Sequence, residues 1–371
     1  MNLVALLMSA LAGPITQATR LVRLHTPLGP DVLLAERAVV VEAIGPHADD
    51  HAAALSARNL GGGASHPSNA RASSALSSSA EPQPRAGFAI QVDALCIETH
   101  LELKTLIGQP VLLELLTQAS RTALRPFHGH VTSVSLLGSD GGLARFRLVV
   151  EPWLAFAGHT HDSQVFQSMS VRGIVDAVFG SYIGRGRLAP AWRWELADAA
   201  VYAERSLCIQ YQESDLAFVE RLLSEEGIVC WFEHEGAPGD AALGTHTLVL
   251  GDHAAAFAAN AQRVVRFTQS GASMAEDSLV RFTGGRAVQT SAVRLSSPDY
   301  RAASAVSISQ DSADAGSPSG LELQDVPGQY AYEDRAQGER LALRRQQALD
   351  ARAAVTRAGH GARRRWARRS R

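Results

Sequence analysis

The densest group of chemically capable side chains lies in "QYQESDLAFVERLLSEEGIVCWFEHE", residues 210–235. It holds Glu213, Asp215, Glu220, Glu225, Glu226, Glu233 and Glu235, with His234 between the last two. Two carboxylates facing one cleft would supply the acid and base of a hydrolase, and carboxylates grouped with a histidine could hold a metal. The helical period argues against both. From Asp215 to Glu226, Leu216, Val219, Leu222 and Leu223 recur at steps of three and four and form one apolar stripe, from which Glu220, Glu225 and Glu226 fall away. Asp215 stands in the first turn, where the helix dipole favours an anion. These acids are expected on the wet side of a helix and a strand, or at contacts between subunits. No catalytic residue is assigned.

Two His-x-His pairs, His128/His130 in "PFHGHV" and His159/His161 beside Asp162 in "GHTHD", could each point two imidazoles at one metal. Neither has a third ligand of known proximity, so both are read as surface loops and no metal is expected. "GGG" at 61–63 lacks the strand-to-helix setting and the lysine of a phosphate loop. There is no G-x-S-x-G, H-E-x-x-H or nucleotide fingerprint, and no cofactor is expected. Cys96, Cys208 and Cys230 are three, odd and widely spaced, which fits buried thiols better than a disulfide framework. The end "GARRRWARRSR" carries six arginines (363, 364, 365, 368, 369 and 371) and Trp366, a pattern that nucleic acid accepts. Without those six the formal net charge would go from −2 to −8.

The elements that must position these groups are mostly strands. "RLVRLHTPLG" and "DVLLAERAVVVEAI" (20–44) read as two strands about a Pro-Leu-Gly-Pro turn. Residues 46–86, rich in Gly, Ser, Ala and Pro, read as a flexible insertion. Phe88, Ile90 and Val92 alternate as in a half-buried strand, and "HLELKTLIGQP" gives about one and a half helical turns closed by Gly108. "VLLELLT", "FHGHVTSVSLLG" and "LARFRLVVEPWL" continue as strands, the last two joined by a turn at 139–142. Ser170 caps a helix over "VRGIVDAVFG"; Ser214 caps the acidic one, which Gly227 stops. Between and after them come the strands "WRWEL", "LCIQYQ", "IVCWFEH" and "HTLVLGD". Further β-like segments run to about 310, and a charged helix covers "YAYEDRAQGERLALRRQQALDARAA". The class is α+β, mainly β, with barrel-like sheets.

At 371 residues and 46% apolar, the chain can hold two to three domains around a sizeable core. A net charge of −2 makes its bulk no polyanion binder. Lys104 is the sole lysine; every other basic residue is arginine. "MNLVALLMSALAGP" is too short to cross a bilayer and lacks the basic start of a secretory signal, so neither a stable membrane anchor nor a cleaved signal is expected.

Several segments together resemble VgrG, the valine-glycine repeat family of type VI secretion systems, often found beside Rhs elements. They are "RPFHGHVTSVSLLGSDGGLARFRLVVEPWLAF" (125–156), "DSQVFQSMSVRGIVDAVF" (162–179), "YQESDLAFVERLLSEEGIVCWFEHE" (211–235), "HTLVLGD" (246–252) and "YEDRAQGERLA" (332–342). "QATRLVRLHTPLGPDVLLAERA" near the start adds to them, and the likeness covers roughly 16–352 apart from the insertion. The resemblance implies a phage baseplate-hub-like half made of two small β-barrels with short helical additions. It implies a homotrimer capping a tube of Hcp rings, effector or adaptor cargo, no nucleic-acid partner, and a mechanical rather than enzymatic role. Such a protein is made in the cytoplasm and exported by the machine to the extracellular space or a target cell.

The expected division is an extension (1–15), a first barrel region (16–152) interrupted at 46–86, and a mixed region with a second barrel (153–310). A loop and charged helix (311–352) and an Arg-rich tail outside the family likeness (353–371) complete it. On that tail the expectation is a truncated or frameshifted member, with a non-functional fragment or a carboxylate-dependent hydrolase as the alternatives.

Overall fold

The computed structural model describes residues 16–46, 84–259, 264–267, 278–299, 304–313, 320–327 and 332–360, apart from 18–19, 99–100, 118–119, 140–141, 265 and 333. The 1–15 extension, nearly all of the 46–86 insertion and the arginines from 363 onward lie outside the described residues.

The first unit is a six-stranded antiparallel sheet in the order β1-β4-β5-β6-β3-β2. Its strands are β1 (Val22–His25), β2 (Leu34–Glu42), β3 (Phe88–Cys96), β4 (Pro110–Thr117), β5 (Ser120–Ser139) and β6 (Ala144–Glu151). The sheet curls until its edges approach: Arg20, just before β1, donates to the Ala35 carbonyl of β2 at 3.1 Å. The inner face carries the alternating residues Phe88, Ile90, Val92, Ala94, Phe146, Leu148 and Val150, all buried. Across the β3–β6 ladder, Asp93 and Arg147 are register partners, and the guanidinium grips the carboxylate at 2.7 and 2.9 Å. The helical turns expected at 100–110 shrink to one 3-10 turn, Leu103–Thr105, which carries the exposed Lys104.

After a 3-10 turn at Trp153–His159, the chain makes β7 (His161–Ser170), α1 (Val171–Gly180), β8 (Ala191–Glu195), β9 (Glu204–Ser214) and α2 (Asp215–Glu226). β10 (Val229–Gly236) and β11 (Gly244–Gly251) follow. Both helices start where their serines place them: Ser170 Oγ accepts from Gly173 N–H, and Ser214 Oγ from Ala217 N–H, each at 3.2 Å. Gly227 ends α2 at φ +72°, and a Cβ there would lie 2.8 Å from Arg344. The buried faces of α1 and α2 join the sheet's inner face and β8, β10 and β11 in one apolar core. Rings lock it: Phe166 stacks on Phe218, and Trp153 meets Phe179 edge to face.

β7 is the strand the sequence did not announce. Among the described residues it pairs only with β9, and most of its residues face water. Ser163, Gln164, Gln167 and Ser168 supply no apolar alternation, so the pairing comes from a partner some 40 residues later in the chain.

Beyond β12 (Arg266–Phe267) the strands are β13 (Ser278–Arg286), β14 (Ala292–Asp299), β15 (Ser304–Asp311) and β16 (Glu322–Asp325), then α3 (Arg335–Ala353) and β17 (Ala354–His360). Two three-stranded sheets result, β15-β14-β16 and β12-β13-β17. Val293, Leu295, Ile308, Tyr332 and Ala342 form a second small core, so α3 is part of this unit and not a separate appendage. Ala354–His360 runs antiparallel to β13 as a sheet strand. The fold is mainly β with few helices, as expected.

Asp93→Ala would strand Arg147 in the sheet and is expected to destabilise the chain by about 3–5 kcal/mol. Replacing both residues by leucine should cost far less. Urea midpoints of the two variants make the comparison, and equal losses would show that the pair is not a coupled buried contact.

Candidate functional site

Glu213, Glu225 and Glu226 share one arginine network, while Asp215 and Glu233 are held separately. Glu213 meets Arg221 at 2.6 Å, and Arg221 also reaches Glu225 at 3.3 Å. Arg205 of β9 holds Glu225 and Glu226 at 2.8 Å each, while the second oxygen of Glu226 takes Arg340 of α3 at 2.9 Å. Glu233 pairs with Arg193 of β8 at 2.8 Å, and Glu235 is exposed. Asp215 accepts from the Tyr182 hydroxyl at 2.5 Å and the Gln210 amide at 2.8 Å. Burial, then that bond to Asp215, pushes the Tyr182 phenol up to about 12.

This corrects the expectation of a wet face for Asp215 and Glu226, which are 6% and 5% exposed. α2 is covered on its second side by β9 and α3, and the acids there are buried as guanidinium partners. A surface depression between α1 and β8 is similarly committed, since the Trp192 and Trp194 indoles both donate to Asp176 Oδ1, at 2.7 and 2.9 Å.

The histidine pairs separate. His159 ends the 3-10 turn, and His161 and Asp162 open β7, all three exposed. Asp162 accepts from Ser163 N–H and the Gln164 amide, which hold its carboxyl below the usual range. His128 and His130 are not in a surface loop: they lie on one face of β5 and are 2% and 1% exposed. Gly129 between them is obligatory, because a Cβ would stand 2.8 Å from Val150 Cγ1 and 3.1 Å from the Phe88 ring.

Two histidines that the sequence reading did not join to them complete a buried quartet. His234 and His246 are register partners on β10 and β11. His128 Nδ1 lies 2.8 Å from His246 Nδ1, and His128 Nε2 is 2.9 Å from the Ala242 carbonyl. His246 Nε2 accepts from Trp153 N–H at 2.9 Å, and His130 Nε2 reaches the Arg187 carbonyl at 3.2 Å. His234 Nδ1 stands 3.1 Å from both the backbone nitrogen and the carbonyl of His128. Phe88 meets the His234 and His246 rings edge to face.

The quartet is a seam between the first sheet and the β10–β11 hairpin, and Gly45 and Cys230 close it with reciprocal backbone bonds of 2.9 Å. No local signal marked His234 or His246, since the first stands between Glu233 and Glu235 and the second between Thr245 and Thr247. Among the described residues no three His, Cys, Asp or Glu side chains converge on a metal position.

Five acids of the 210–235 stretch, Glu213, Asp215, Glu225, Glu226 and Glu233, are thus committed to arginines or hydrogen-bond donors. Residues 85–369 match the family model "Phage tail baseplate hub (GPD)". The chain belongs to that family.

Within it the sequence is VgrG-like. The Pseudomonas aeruginosa type VI secretion system spike protein VgrG5 is 32% identical over 252 residues, 67% of this chain and 30% of that protein. Spike protein VgrG1b of the same organism is 28% identical over 342 residues, 91% of this chain and 38% of that protein. The chain therefore spans about a third of the length of these relatives. The E. coli c3393 protein, a component of the type VI secretion system, is 21% identical with a TM-score of 0.42, covering 66% of this chain and 62% of its own. The family match runs through β17 to residue 369, so most of the segment placed outside the family likeness falls inside it. These relatives are spike and hub proteins, although one, from Vibrio cholerae, is an actin cross-linking toxin, VgrG1. No helix among the described residues is long and apolar enough to cross a membrane.

Glu226 joins β9, α2 and α3, and its removal leaves Arg205 and Arg340 without their shared carboxylate. Glu226→Ala is expected to cost about 3–5 kcal/mol and to raise amide exchange along α3 more than in β3 or β6. Exchange measured by mass spectrometry checks this. Equal protection of α3 in both proteins would show that the clamp does not hold the helix.

Proposed function

We propose that this chain is the hub portion of a type VI secretion spike. Three copies form a ring that caps the Hcp tube, and the assembly is exported from the cytoplasm with effector or adaptor cargo. The observation that carries this reading is the baseplate-hub match across residues 85–369. The surface chemistry supports it. β7 and β9 form a two-stranded ribbon whose outer face presents Val165, Leu207, Ile209 and Tyr211, each 46–59% exposed. A face of that kind gains by being covered. The role is mechanical, with no catalytic residue, cofactor, metal or nucleic acid, because the acids that would serve a hydrolase are spent on Arg205, Arg221, Arg193 and Arg340.

Light scattering at high protein concentration tests the assembly, with trimer expected for the parent chain and a shift to monomer for Leu207→Asp/Ile209→Asp. Pull-down by immobilised Hcp rings tests the cap. A parent chain that stays monomeric and does not bind Hcp overturns the reading.

A further inference from the structure

The hydrogen bonds of the histidine seam fix where its protons sit. The Trp153 backbone N–H can only donate, so His246 Nε2 holds a lone pair, and the proton of its neutral ring is on Nδ1. That Nδ1–H points at His128 Nδ1, 2.8 Å away, which accepts it. His128 then carries its own proton on Nε2 and donates it to the Ala242 carbonyl. The relay runs one way, from the turn after β6 to the β10–β11 loop. Because His246 Nδ1 bears hydrogen, it has no lone pair there for a metal.

An added proton has no acceptable place in this relay. On His128 Nδ1 it would confront the His246 N–H across 2.8 Å; moving the His246 proton to Nε2 would set it against the Trp153 N–H across 2.9 Å. Both arrangements oppose two donors inside a core where His128 and His246 are 2% and 1% exposed. His130 adds a buried Nδ1 with no partner, its ring centroid 5.7 and 5.4 Å from those of His128 and His246.

Little nearby would neutralise the charge. β2 brings Glu42, 3.8 Å from His234 Nε2 but paired with Arg125 of β5 at 2.9 Å. β6 brings Glu151, across the ladder from His130, with its carboxylate held by the Thr132 hydroxyl at 2.6 Å. Arg187, Ala242 and Trp153 face the cluster with backbone groups, and β3 offers the Phe88 ring.

We propose that the His128–His246 relay is a proton-operated latch: mild acid uncouples the β10–β11 hairpin from the first sheet while the α3 unit stays folded. This goes beyond the hub reading and does not depend on it. The direction agrees with the site's electrostatics. Burial holds His128 and His130 at about 4, and His246 well below the ordinary value of 6.5. An opened seam restores that ordinary value, so the open state binds more protons as pH falls from 6.5 toward 4. The closing contribution is complete above 6.5 and is lost through that window. For one such histidine the opening constant rises about 20-fold between pH 7 and pH 5.

Hydrogen exchange by mass spectrometry on the full chain at pH 7 and pH 5, corrected for intrinsic rates, tests the latch. Segments 229–251 and 153–159 should exchange about 20-fold faster at pH 5, while α3 and β14–β15 change little. His128→Gln/His246→Gln should flatten that pH dependence. Should the variant not fold, the parent's segment pattern decides alone: unchanged protection of 229–251 at pH 5, or a uniform rise across the whole chain, overturns the proposal.

Discussion

The structure depends on burying one apolar core that no single sheet could cover. The first sheet offers a curved inner face, α1 and α2 close one side, and the β10–β11 hairpin closes another. Burial on that scale is the main favourable term in folding, and it dictates what happens to polar groups at the margins. Wherever two elements meet over the core, their polar side chains must find partners there, since water is excluded. Asp93 with Arg147, Asp215 with Tyr182 and Gln210, Glu226 with Arg205 and Arg340, and the histidine quartet are four answers to that demand.

Much of the fold was legible from local chemistry. Ser170 and Ser214 marked their helices, Gly227 ended the second, and the Leu216–Val219–Leu222–Leu223 stripe placed its buried face. These features act within one or two turns of chain. What failed to show was set by contacts far away in sequence. The imidazole of His128 is buried by His246, 118 residues later, and Asp215 and Glu226 lose their solvent to Tyr182, Arg205 and Arg340. The strand around "HGH" could be read, but nothing local showed that its imidazoles face inward.

The candidate site was legible in its negative aspect. The spacing of the acids offered no pair facing a common cleft; Glu213, Glu225 and Glu226 join one arginine network, while Asp215 and Glu233 are held apart from it. The density of carboxylates in 210–235 arises because three elements converge on α2 and its following strand, and each supplies an arginine. A stretch rich in acids then signals a junction rather than a cleft.

Arginine in place of lysine has a consequence on the alkaline side. Lys104 is exposed at 81% and pairs only with Glu102 at the surface. The cations that clamp Asp93, Glu213, Glu225, Glu226 and Glu233 are all guanidiniums, which keep their charge throughout the range in which an ammonium would lose it. Tyr182 ionises only at about 12, and burial also raises the Cys230 thiol to about 12. The internal clamps therefore keep their charge on the alkaline side, where a lysine in the same place would lose its own.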